Sequence, residues 1–122
     1  MITEKRLEDA LKFLSETDEQ NAEANANVKY LDRLLKRKKA LYITGEKSLK
    51  SVSAKEQAFY ASDTYKNAVE ELFQAEVKAS TLENKRDKEQ IIIDLFRTFR
   101  PRIIYACISS FMNSIKHYYL YI

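Results

Sequence analysis

The side chains that most often carry acid–base and nucleophilic chemistry are scarce in this chain. Its one histidine, His117, and its one cysteine, Cys107, stand ten residues apart near the C-terminal end. A thiolate–imidazole pair must meet within hydrogen-bond reach, and a buried or incidental thiol and a solvated imidazole account for these two far better. A zinc site takes three or four ligands, mostly Cys and His, more than the chain supplies. Carboxylates are plentiful, but the runs from Glu16 to Glu19 and at Glu70–Glu71 read as solvent faces rather than as ligands gathered inward. A single glycine, Gly45, excludes a glycine-rich phosphate loop. The expectation is a non-enzymatic protein with no cofactor and no metal.

What the chain does concentrate is positive charge. Residues 1–32 hold eight acids and four bases (−4), and residues 33–55 hold one acid and eight bases (+7). Residues 56–96 hold nine acids and five bases (−4), and residues 97–122 hold four bases and no acid (+4). The first basic node comprises Arg33, Lys36, Arg37, Lys38 and Lys39, continued by Lys47, Lys50 and Lys55. The second is Arg97, Arg100 and Arg102. Such clusters either solvate a helix face or bind phosphates, the latter with strong salt dependence and little sequence preference. Cations at the end of a helix also complement its dipole, a purely structural role open to the second node. The candidate nucleic-acid contacts are Arg33, Lys36, Arg37, Lys39, Lys47, Lys50, Arg97 and Arg100. No aromatic platform or zinc finger accompanies them, so base-specific readout is not expected.

The elements that must position these charges are helical. One Gly and one Pro (Pro101) in 122 residues leave little material for hairpins or sandwich corners. Thr3 caps a first helix whose stripe is Leu7, Ala10, Leu11 and Leu14. Thr17-Asp18-Glu19-Gln20 reads as a capping box opening a second helix, with Ala24, Val28, Leu31, Leu35 and Tyr42 on its stripe. Gly45 stands where a left-handed residue would stop it, and residues 44–52 read as a loop. Ser53 and Glu56 form another box, opening a main helix that reaches about Arg100, with a minor break allowed at Ser62–Asp63.

On that helix the apolar positions alternate by three and four. One series is Ala58, Tyr65, Leu72, Ala79, Arg86 and Ile93; the other is Ala61, Ala68, Ala75, Leu82, Glu89 and Phe96. A sustained seven-residue repeat favours a supercoil with a partner helix. Arg86 and Glu89 interrupt it, as an open, solvated stretch or as a register-setting polar layer in an oligomer. A short connection makes the second helix an antiparallel neighbour of the main one. The expected fold is therefore all-α: an antiparallel helical hairpin with one long heptad-patterned helix and a short N-terminal helix, assembling as a coiled-coil-type oligomer. Ile91, Ile92, Ile93, Leu95 and Phe96 surround most of the overhanging end. They call for the first helix or a second copy, most simply in a C2 dimer. Leu82, Ile92, Ile93 and Phe96 are the candidate interface.

The composition changes after Pro101. Residues 103–122 carry no acid and five aromatics, Tyr105, Phe111, Tyr118, Tyr119 and Tyr121. Three readings fit: a terminal helix packed on the overhang, an interface or membrane-surface segment, or a frameshift-like extension. The division expected is a helical domain over residues 1–100 and an aromatic-rich tail over 101–122. The N-terminal residues mix charge with apolar side chains and read as no signal peptide, and no apolar run approaches the roughly 20 residues of a membrane span. A cytoplasmic protein is expected, without membrane association.

With these residues in place, the layout resembles a group of small helical proteins encoded by phages and prophages, often among DNA recombination and replication genes. The resemblance rests on Leu7-x-x-Ala10-Leu11-x-x-Leu14, Leu35-Lys36-Arg37-x-Lys39-Ala40, Gly45 with Ser53-Ala54, and the close Ile93-Asp94-Leu95-Phe96-Arg97. It covers about residues 4–100; members of the group usually close soon after the Arg cluster, where this chain continues. The resemblance implies an accessory protein of phage DNA metabolism. Its partner would be single-stranded DNA or a phage DNA-processing protein, and no active site would be carried over. The competing expectation is a structural or adaptor coiled coil in phage assembly or host-factor binding.

Overall fold

Among the described residues there are three helices: α1 (Glu4–Gly45), α2 (Val52–Tyr60) and α3 (Asp63–Tyr119). The computed structural model describes residues 2–119, with side chains described for residues 2–99. Among the described residues there is no strand. The all-helical class expected from composition is the class observed.

The first two expected helices are one. Thr3 does cap α1, its Oγ1 accepting from the Arg6 amide at 3.1 Å. Thr17, however, lies inside α1 and starts nothing. The reason is the stripe itself. Leu7, Ala10, Leu14, Thr17, Asn21, Ala24, Val28, Leu31, Leu35, Lys38 and Tyr42 alternate by three and four without interruption, and every one is buried or half-buried. A break at Thr17 would forfeit helical hydrogen bonds and put the two stripes out of phase, with no Gly or Pro to favour it.

The loop is shorter than expected, residues 46–51. Gly45 is the last residue of α1 and keeps a negative φ, so the left-handed stop is absent. The Glu46 amide instead continues the helical pattern, donating to the Tyr42 carbonyl at 2.9 Å. Ser51, not Ser53, caps α2, accepting from the Ala54 amide at 3.1 Å. The break at Ser62–Asp63 is present: Ser62 Oγ accepts from the Tyr65 amide at 3.3 Å, and Asp63 stands in the first turn of α3, where the helix dipole favours an anion. The main helix thus begins later than expected and also ends later, continuing through Pro101 to Tyr119. Pro101 removes one donor to the Arg97 carbonyl, a single lost bond that does not end the helix.

The chain divides into two units. In the unit of Thr17–Lys85, the buried apolar residues are Ala24, Phe59, Ala68, Ala75 and Ala79. Alanine at these positions lets α1 and α3 approach closely. Asn27 and Leu31 of α1 share an open cleft of about 760 Å³ with Asn67, Gln74, Ala75 and Lys78 of α3. In the unit of Met1–Glu16 and Arg86–Ile122, Ala10 and Ile93 are buried, with Leu7, Phe13, Leu14, Ile92 and Phe96 half-buried.

Candidate functional site: the basic node and its aromatic mount

The basic node lies on the last turns of α1 and the connection to α2, inside the unit of Thr17–Lys85. Four aromatic rings form its support. Phe59 is 1 % exposed and is the one fully buried large side chain among the described residues. Its ring centroid lies 5.5 Å from Tyr42, 5.4 Å from Tyr65 and 5.9 Å from Tyr60, all tilted or edge-on. Tyr60 and Tyr65 also meet edge-on at 5.1 Å. These geometries suit the ring quadrupoles, and they tie α2 to both longer helices. The cluster brings Tyr42 of α1 onto Phe59, Tyr60 and Tyr65 across the connection, and Phe59 at its centre belongs to neither periodic series.

Lys39 is clamped onto this cluster. Its Nζ donates to the Tyr60 hydroxyl at 2.9 Å, lies 5.2 Å from that ring's centroid and stands 3.6 Å from Glu56. The bond to Tyr60 lifts the Lys39 pKa above its ordinary value; partial burial opposes this, and Glu56 adds to it. Lys36 pairs with Asp32 at 3.3 Å, one turn back on the same helix. Two of the expected phosphate ligands are thus engaged by the chain's own groups.

Arg33, Arg37, Lys47 and Lys50 are different. All four are exposed and none has an ion-pair partner among the described residues. In the connection, the Glu46 carboxylate accepts from the Ser48 hydroxyl and, at 2.8 Å, from the Ser48 amide. Those bonds hold the Glu46 pKa below the usual carboxylate range. Arg97 is exposed on α3, and the Arg100 side chain lies outside the described residues.

The polar interruption of the α3 stripe is neither open nor idle. Arg6 grips Glu89 with both ends of its guanidinium, at 2.7 and 2.9 Å. Arg86 donates to the Leu14 carbonyl at 2.8 Å. The hydrogen bond from Arg6 lowers the Glu89 pKa and raises that of Arg6. Bidentate Arg–carboxylate pairs add geometric specificity, so these contacts select which turn of α1 meets which turn of α3 within the unit of Met1–Glu16 and Arg86–Ile122. Of the candidate interface residues, Ile93 is buried by the chain itself, and Leu82, Ile92 and Phe96 are half-buried. The exposed apolar side chains nearby are Ile91, Leu95 and Phe99.

No protein-family model, curated protein or solved structure matches this chain. Among the described residues no three His, Cys, Asp or Glu gather as metal ligands, and no helix is long and apolar enough to cross a membrane. Cys107 and His117, together with the other side chains of the aromatic-rich tail, lie outside the described residues.

Proposed function

We propose that this chain is a non-enzymatic accessory protein of the phage type, assisting DNA recombination or replication by contacting single-stranded DNA, or a protein that processes it. The observation that carries this reading is the quartet Arg33, Arg37, Lys47 and Lys50, exposed and without internal counter-charges. Unpaired cations on the end of α1 and on the connection after it suit phosphates spaced along a strand, because little side-chain pairing must be broken first. Lys36 and Lys39 take a supporting part, since each already has a partner. The architecture under this reading is an antiparallel helical hairpin of coiled-coil type, assembled as a homodimer and working in the host-cell cytoplasm.

The test is binding of a fluorescent oligothymidylate across a salt series. Four phosphate contacts on single-stranded DNA give a log–log salt slope of about −3, or roughly a fiftyfold loss of affinity between about 50 and 200 mM salt. Replacing the four cations with Gln abolishes that slope. Absence of binding at low salt, or affinity indifferent to the quadruple variant, sinks the reading.

A structural or adaptor protein with no nucleic-acid contact is the competing reading. The exposed apolar row Val69, Phe73 and Val77 on α3 favours it, since such a row suits a protein surface better than a phosphate backbone.

A further inference from the structure

Among the described side chains, Tyr42, Tyr60 and Tyr65 are all drawn into the Phe59 cluster, and Tyr30 is not. Tyr30 is 60 % exposed, and its ring meets no other ring among the described residues. A single exposed ring means little by itself; its position is what matters. Arg33 follows Tyr30 by three residues and Arg37 by seven, so the three side chains share one face of α1. That face is turned away from the half-buried stripe of Val28, Leu31 and Leu35. Arg33 and Arg37 are two of the four cations without an ion-pair partner among the described residues. All three side chains belong to the unit of Thr17–Lys85.

The charges differ between the two ends of this row. From Tyr30 to the end of α1 the one acid is Asp32, which Lys36 engages at 3.3 Å. Farther on, Glu46 is bonded to Ser48 and Glu56 stands beside Lys39. Around Tyr30 itself the balance is different. Glu23 lies two turns back on the same face, and Lys29 precedes the ring. On the flank, Glu70, Glu71 and Lys78 of α3 line the cleft that Asn27 and Leu31 share with them. Three acids against two lysines leave no attraction for a phosphate at the ring. Phosphates are drawn to Arg33 and Arg37 instead, and an uncharged base is free to meet Tyr30.

We propose that Tyr30 stacks a nucleobase of a single DNA strand whose phosphates run past Arg33 and Arg37 toward Lys47 and Lys50. The inference rests on the nucleic-acid reading above and deepens it, since it adds a base contact to a site otherwise built from phosphate contacts. A base in a duplex is stacked on its neighbours, whereas a base in a single strand can offer its face to an aromatic side chain. Tyr30 therefore gives the site its preference for single strands. Stacking accepts every base, so the contact adds no sequence readout.

The experiment is fluorescence anisotropy with two labelled strands of equal length, an oligothymidylate and an abasic strand that keeps the phosphates and lacks the bases. Tyr30→Ala weakens oligothymidylate binding roughly tenfold and leaves the salt slope at about −3, because no phosphate contact is removed. Tyr30→Phe keeps the ring and binds like the wild type. The wild type binds the abasic strand more weakly than the oligothymidylate, and Tyr30→Ala narrows that gap by the factor it loses on oligothymidylate. Circular dichroism of each variant matches the wild type, since the side chain lies on the surface. If Tyr30→Ala binds oligothymidylate as tightly as the wild type while the quadruple Gln variant does not, stacking is overturned and the phosphate reading stands. Equal losses on both strands also overturn stacking, because the ring then acts without a base. A wild type that binds neither strand at low salt overturns the inference together with the reading beneath it.

Discussion

Replacing Phe59 with Ala should unmake the mount on which the basic node sits. Phe59 is 1 % exposed and touches three tyrosine rings drawn from α1, α2 and α3. Truncating a buried Phe costs about 3–5 kcal/mol, part from lost transfer free energy and part from the cavity left behind. For 122 residues, an unfolding entropy of about 0.26 kcal/mol per kelvin turns that into a fall in Tm of about 12–20 °C. Phe59→Leu keeps most of the volume but loses the ring geometry, and should cost only about 1–1.5 kcal/mol. Urea denaturation followed by far-UV and tyrosine near-UV circular dichroism measures both. Because Phe59 is also the buried residue of α2, amide exchange over Val52–Tyr60 should accelerate more than exchange at Ala24. A loss below about 1 kcal/mol for Phe59→Ala, or equal losses for Ala and Leu, would refute the claim that this ring is the unit's principal anchor.

Three further outcomes are expected. Gly45 keeps a negative φ and an added Cβ meets nothing within 4 Å; Gly45→Ala should therefore stabilise the protein by about 0.5–1 kcal/mol in urea titrations, and a loss would show that the residue needs its conformational freedom. Asn21 buries its side-chain oxygen without a hydrogen-bond partner at a position on the α1 stripe, so Asn21→Leu should raise stability by about 1–2 kcal/mol; a fall in Tm would count against that account. The Glu89 carboxyl is held below its ordinary pKa by Arg6. Its contribution to stability is complete above the unfolded carboxylate value of about 4.3 and is lost as pH falls through the lower folded value. The wild type should therefore exceed Glu89→Gln in Tm near neutral pH and converge with it toward about pH 2; a constant gap across the titration would exclude this linkage.

The helical class was legible because it depends on composition and periodicity, both local quantities. The α3 series from Tyr65 to Phe96 appears in the structure as a buried or half-buried stripe, since three-four spacing fixes which side chains share a face. The boundaries were harder to read. Thr17 to Gln20 has the residue types of a cap, but caps compete with helix continuation, and an unbroken stripe decided the contest. Ser51 and Ser53 are both chemically able to cap α2, and only the backbone direction at the connection selects Ser51. Phe59 lay outside both periodic series, and its burial follows from the break at Ser62, which turns α2 so that this ring meets Tyr42 and Tyr65.

The site divides along the same line. Sequence alone determined that positive charge gathers between Arg33 and Lys55, because charge counts require no geometry. Only the fold decided which of those cations are free. Lys39 is occupied by Tyr60 and Glu56, residues that no helical spacing relates to it, while Arg33, Arg37, Lys47 and Lys50 remain open to solvent. The same holds for Arg86 and Glu89. The heptad count shows that they break an apolar stripe, but their partners, the Leu14 carbonyl and Arg6, lie more than 70 positions away in the chain. Periodicity along one helix specifies a face; what that face meets is set by the packing of another helix against it.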